Sequence, residues 1–209
     1  MLVAEAKVLA AENRHASAVV ELFCATTLLE QNNREEGLRA LVSMLSEYSG
    51  WLASPEGHPM YEFIQLQRAF SLMHLGRNLE ARPLLEAALQ FDLDAEEIDE
   101  ELRIDIHCHL GRCYHELSLY PLAREQFEQA NALGISKEWE PAFHYYYGYT
   151  LYELKEYQRS KREFILCVQS GSSGPEARLR YMMLAAASRK LGEHAEARAY
   201  EERAKSEKL

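Results

Sequence analysis

Two columns of small residues constrain this chain more than any other feature. Ala69, Gly111, Gly148 and Ala185 form the first. Twelve positions after each stands another small residue: Ala81, Ala123, Ser160 and Ala197. The spacings are 42, 37 and 37 residues in both columns. Each interval holds a short break ("LGRN", "LSLYP", "LKEY" or "LGEH") beginning at Leu75, Leu117, Leu154 and Leu191 or directly after it. On either side of the breaks, apolar residues recur three and four apart, the amphipathic helical period. No segment alternates strictly as a half-buried strand would. Small residues at matched positions let two helix backbones approach. The pattern predicts stacked antiparallel helix hairpins and no sheet.

Upstream, "LFCATTLLEQNNREEGLRALVSML" (22–45) sets Ala25 and Gly37 twelve apart around "QNNRE", a degenerate unit over about 15–50. A preceding helix is expected over roughly 3–13. "SPEGHP" (54–59) and "GSSGP" (171–175) read as connecting loops, with Pro175 suited to a first helical turn. In "DLDAEEIDEELR" (92–103), Asp94 and Glu97 have capping-box spacing, so the next helix is expected from about 95 to 118. The chain thus reads as one domain, 1–209, with repeats at about 61–93, 95–134, 137–171 and 175–206.

These segments resemble the tetratricopeptide repeat. Leu110-Gly111 with Tyr114, then Tyr120, Ala123, Phe127 and Ala130, carry the resemblance best. Gly148, Leu151, Tyr157, Ser160 and Phe164 repeat it, with Tyr147 in place of the leucine. Leu184-Ala185, Gly192, Ala197 and Ala204 complete it, but Glu201 stands where an aromatic is expected, as suits a terminal helix without a neighbour. The resemblance implies an all-α, right-handed superhelical solenoid of four to five hairpins. It implies first helices lining a concave face, and a scaffold rather than an enzyme.

Bulk properties agree with that reading. The net charge is −10, and residues 1–105 carry 19 acids against 8 bases. Without a basic stripe, nucleic acid is a poor partner. No apolar run is long enough to cross a membrane, and Glu5 and Lys7 interrupt any signal-peptide core. Cys24, Cys108, Cys113 and Cys167 form no CxxC pair, which suits reduced thiols in the cytoplasm. There is no phosphate-binding glycine loop, HExxH or GxSxG, so no catalytic residues and no cofactor are expected.

"HCHLGRCYH" (107–115) invites a metal reading. On a helix its ligands scatter: His109 and Cys113 share one face, Cys108 and His115 another with Arg112 between them. At most two converge, whereas structural zinc takes four ligands and catalytic zinc three. A metal site on His109 and Cys113 is therefore a remote alternative. The acidic run "DLDAEEIDEE" lacks the central glycine of a calcium loop and reads as a solvated helix start.

Helical spacing selects the residues offset from the packing columns as partner-binding candidates. They are Phe63, Leu66, Phe70 and Met73; Cys108, Arg112 and His115; Tyr145, Tyr149 and Tyr152; and Met182 and Arg189. Aromatic and Met anchors suit a protein or peptide ligand, with the two arginines orienting a carboxylate. Alternatively the face is filled by the protein's own N-terminal helix or by a second copy in a homo-oligomer. Family members that clamp acidic heat-shock-protein tails use Lys and Asn there. Leu66 and Phe70 argue against that role, and a chaperone-like role in secretion is only an analogy.

Overall fold

The computed structural model describes residues 14–94, 100–135, 137, 139–170 and 175–207. Among them every regular element is a helix. The chain forms two compact units, 1–96 and 97–209.

The first unit contains α1 (Arg14–Glu30), α2 (Arg34–Glu47), the single turn α3 (Ser49–Leu52), α4 (His58–His74) and α5 (Asn78–Asp94). α1 pairs with α2 and α4 with α5, and α4 packs on α2. Its core holds Ala25, Leu41, Met44, Leu52 and Ile64. The loop expected at 54–59 is shorter than its composition suggests, because His58 and Pro59 already belong to α4. A proline costs nothing in a first turn, where its missing N–H has no partner to lose.

The second unit contains α6 (Glu100–Glu116), α7 (Tyr120–Leu133), α8 (Glu140–Glu153), α9 (Tyr157–Gln169), α10 (Pro175–Lys190) and α11 (His194–Ser206). The hairpins are α6/α7, α8/α9 and α10/α11, stacked through α7/α8 and α9/α10. The expectation that α6 runs to about 118 is corrected: it stops at Glu116. Its expected start falls partly outside the described residues, as do the helix expected over 3–13 and Glu97 of the capping box. Asp94 ends α5.

The small columns lie at the hairpin crossings. Ala69, Ala81, Ala123 and Ser160 are fully buried, and Ala185 and Ala197 nearly so. Sixteen residues after each first-column position comes the residue that fills the crossing: Leu85, Phe127 and Phe164, all buried. A Cβ on Gly111 would sit 2.8 Å from the Phe127 ring, and one on Gly148 would sit 3.0 Å from Phe164. The partner at the glycine is thus an aromatic ring, not a bare backbone. Ser160 adds a bond of its own, its hydroxyl donating to the Gly148 carbonyl at 2.7 Å. Glu201 holds the sixteenth position of the last hairpin and pairs instead with Arg189.

Every hairpin turns the same way. The amides of Asn33, Arg77, Leu119, Glu156 and Glu193 reach back five residues to the carbonyls of Leu28, Leu72, Tyr114, Leu151 and Ser188, at 2.8–3.0 Å. This closure requires a left-handed residue just before the donor. Asn32, Gly76, Ser118, Lys155 and Gly192 fill that place, with φ between 59° and 80°. Here lies the reason α6 ends early. Lys155, at φ 65°, bears a Cβ in a conformation that disfavours one. Lys155→Gly is expected to stabilise the protein by about 0.5–1 kcal/mol, less what the unfolded chain gains in entropy. A rise of a few degrees in Tm checks it.

Candidate functional site

α8 carries tyrosines at 145, 146, 147, 149 and 152, so no face of it is free of a ring. Tyr147 turns inward and is buried with Phe143 and Phe127. Its hydroxyl donates to Glu128 at 3.3 Å. Tyr145, Tyr149 and Tyr152 follow one another at steps of four and three, which keeps them on a common face. They form a ladder of near-parallel rings: centroids 6.4 Å apart between 145 and 149 with planes 11° apart, then 6.5 Å and 10° between 149 and 152. The rungs are half-buried against the cluster of Phe164, Leu184 and Ala187, which pins one side of each ring. Burial holds the Tyr145 and Tyr149 phenols above their ordinary range, with Glu153 adding to the effect at Tyr149.

The ladder continues into a cleft of about 330 Å³ between the first turns of α8 and α10. Tyr145 is both its wall and the last rung, and Pro141, Ala142 and Leu179 supply apolar lining. Arg180, buried, closes the floor. It donates to the Cys167 carbonyl at 3.3 Å and lies 3.5 Å from Glu176. Leu179 and Met182, one turn apart on α10, are 45% and 50% exposed, apolar surface next to a cleft.

His115 supports the other side of Tyr149, with centroids 5.0 Å apart, and also touches Tyr120 and Tyr146 edge-on. Its Nδ1 lies 2.9 Å from the Thr150 hydroxyl. That hydroxyl spends its single proton on the Tyr146 carbonyl at 2.8 Å. The oxygen therefore accepts from His115, and the imidazole carries its proton on Nδ1. Burial pushes the His115 pKa down to about 4.

The sequence-selected residues divide sharply. Leu66, Met73, Cys108 and His115 are buried within the chain. Neighbouring first helices lie close enough to cover positions that a single helix would leave open. Phe63 is 45% exposed, and Phe70 is intermediate. The two arginines expected to meet a carboxylate are already engaged. Arg112 lies over the Tyr146 ring at 5.3 Å, and Arg189 pairs with Glu201. The structure brings together Tyr145, Tyr149, Tyr152, Arg112 and His115. The N-terminal end of the cleft, Pro141 and Ala142, was missed. A Glu-Pro pair opening a helix could have marked it as a backbone edge without a preceding turn.

The "HCHLGRCYH" side chains go to separate places. His107 meets Gln126 at 2.8 Å, and His109 meets the Asp105 carbonyl at 2.9 Å and the Trp139 ring edge. Cys108 and Cys113 are buried, and burial pushes the Cys108 thiol up to about 12. Among the described residues no three His, Cys, Asp or Glu side chains converge. Nor is any helix among them long and apolar enough to cross a membrane.

Hairpins with small residues at the crossing and a common turn closure define an all-helical repeat protein. The tetratricopeptide repeat family model matches residues 62–133, so that stretch carries tetratricopeptide repeats. No curated protein matches it in sequence. Solved structures share its fold. A Podospora anserina protein described as a kinesin light chain with nearly identical TPR-like repeats aligns at a TM-score of 0.66 and 18% identity, over 89% of this chain and 92% of that one. MamA aligns at 0.63 and 15%, over 86% and 91%. A further MamA structure, of MSR-1, gives 0.67 and 14%, over 90% and 94%. Repeats of this family generally mediate protein–protein contacts and usually lack catalytic activity.

Proposed function

We propose that this protein is an interaction scaffold whose second unit binds a peptide segment of another protein along the Tyr145–Tyr149–Tyr152 ladder and into the adjoining cleft. The observation that carries the reading is the ladder itself. Three rings are held near-parallel by their packing, and each keeps part of its surface exposed. Aromatic side chains held rigid before binding lose little freedom on contact, which is what makes them effective anchors. Four free thiols fit a reducing, cytosolic setting.

Tyr149 is the central rung. Truncating one anchoring ring costs an interface about 2 kcal/mol or more, roughly 30-fold in affinity. Because Tyr149 also rests on His115, Tyr149→Ala should in addition cost about 0.5–1.5 kcal/mol of stability, the worth of an aromatic pair. The protein is used to capture partners, which are identified by mass spectrometry, and each recovered partner is titrated against wild type and Tyr149→Ala. A partner bound equally by both places the functional surface elsewhere.

A further inference from the structure

The ladder is bordered by two exposed carboxylates, with one cation, Arg112, beside them at Tyr146. Glu116 hydrogen-bonds Tyr146 and its charge reaches Tyr145; the charge of Glu153 reaches Tyr149. Both glutamates are exposed, and neither belongs to an ion pair among the described residues. Each is also the last residue of its helix, Glu116 of α6 and Glu153 of α8. A helix C-terminus already presents negative dipole charge, so an acid there is locally unfavourable and a cation is what the position favours. The last turn of α8 has no basic residue. That of α6 has only His115, which burial keeps neutral. Arg189 is paired with Glu201, while Arg112, stacked on Tyr146 and bonded to the same phenol as Glu116, offsets one of the two carboxylate charges. With two carboxylates against Arg112, the exposed edge of the ladder is π-rich and keeps a net negative charge, weighted towards Glu153 and Tyr149.

From this geometry we infer that the ladder receives an arginine or lysine side chain of the bound peptide. The cation lies against the Tyr149 and Tyr152 rings with its charge towards Glu116 and Glu153, while an apolar residue of the same peptide fills the cleft beyond Tyr145. This rests on the reading of the ladder as a binding face and specifies the chemistry of its ligand. A ring face attracts a cation through its quadrupole, and a nearby carboxylate adds to the attraction. The seven-residue step from Tyr145 to Tyr152 spans roughly 10 Å of helix. An extended peptide covers that in about three residues, which fixes the spacing between cation and apolar anchor. The expected ligand has the opposite sign to the one the two arginines alone would suggest.

The full chain is used to select from a random twelve-residue peptide display library. Selected peptides should be rich in Arg or Lys, with an apolar residue three or four positions away. Replacing that Arg by Gln in the best peptide should weaken binding about tenfold or more in a fluorescence-anisotropy titration. Glu116→Gln with Glu153→Gln should weaken the Arg peptide about tenfold and leave the Gln peptide unchanged. Both sites are exposed and their charges oppose the helix dipole, so melting curves should match wild type or rise slightly. Tyr149→Phe should bind as wild type and Tyr149→Ala should not, since the ring face rather than the hydroxyl makes the contact. Peptides that depend on Tyr149 but are acidic or neutral, or that ignore the glutamate changes, overturn the cation inference and leave the binding face standing. If no selected peptide depends on Tyr149, the binding face itself is overturned. If the chain sediments as a dimer that Tyr149→Ala dissociates, the occupant is a second copy and the inference is overturned.

Discussion

Gly148→Leu is expected to destabilise the protein by about 3 kcal/mol, and to cost much less when it is made in a chain whose Phe164 is already shortened. The Phe164 ring is fully buried and lies 3.0 Å from where a Cβ on Gly148 would be, with Glu163 Cβ at 3.1 Å. An alanine there would ask the ring to give by a few tenths of an ångström. A leucine asks for a volume that a close-packed crossing does not hold, and overpacking of this kind costs about 1–3 kcal/mol or more. Phe164→Ala alone should cost about 3–5 kcal/mol, through the cavity it leaves. The two changes occupy one space, so the double variant should be more stable than the sum of the singles by about 1–3 kcal/mol. Urea unfolding of the four proteins closes the cycle. Strict additivity would mean that Gly148 and Phe164 do not share the crossing, and the account of the small columns would fail with it. Should Gly148→Leu prove stabilising, helix propensity would be outweighing packing, and the position would have to be open.

The columns were legible because their cause is local in sequence and strict in volume. A residue at a crossing must be small whatever else surrounds it, so Ala69, Gly111, Gly148 and Ala185 announce themselves at fixed spacing. The filling residue sixteen positions later follows from the same geometry, and so does Glu201, whose polarity marked the last hairpin. The turns were less legible. Lys155 and Ser118 give no compositional sign of the left-handed conformation that Gly76 and Gly192 make obvious. Only alignment of the breaks against one another shows that the five residues are equivalent.

Legibility fell further at the site, for a definite reason. Helical spacing sorts side chains by direction around their own axis, and it sorted Tyr145, Tyr149 and Tyr152 correctly onto one face. It cannot measure how closely the neighbouring helix approaches, which is why Leu66, Cys108 and His115 were selected with the tyrosines and then found buried. Charge was the least legible of all. Arg112 and Arg189 looked available because sequence shows a side chain's charge but not its partner, and the partners lie on other helices at Tyr146 and Glu201.

Acid should loosen the second unit through His115 in particular. The ring is 7% exposed, enclosed by Tyr120, Tyr146 and Tyr149, and its Nδ1–H is spent on Thr150. Protonating Nε2 would place a charge among rings with no carboxylate in the enclosing set, and burial accordingly holds the pKa near 4. An unfolded histidine titrates near 6.5. Between those values the unfolded chain binds a proton that the folded one refuses, so stability rises with pH through the window. The contribution is complete above about 6.5 and is lost as the pH falls towards 4. Each unit of difference is worth about 1.4 kcal/mol, so the whole window amounts to roughly 3 kcal/mol. Glu116 is the nearest carboxylate in sequence, but it is exposed and bonded to Tyr146 rather than to the imidazole. His115→Gln keeps a donor for Thr150 and cannot titrate. Urea unfolding at pH 7.5, 6.5, 5.5 and 4.5 should show wild type losing stability steadily below 6.5, and the variant losing about 3 kcal/mol less over the same range. Parallel curves for the two proteins would mean that His115 is protonated in the folded state as readily as in the unfolded one, and that water reaches the ring the ladder rests on.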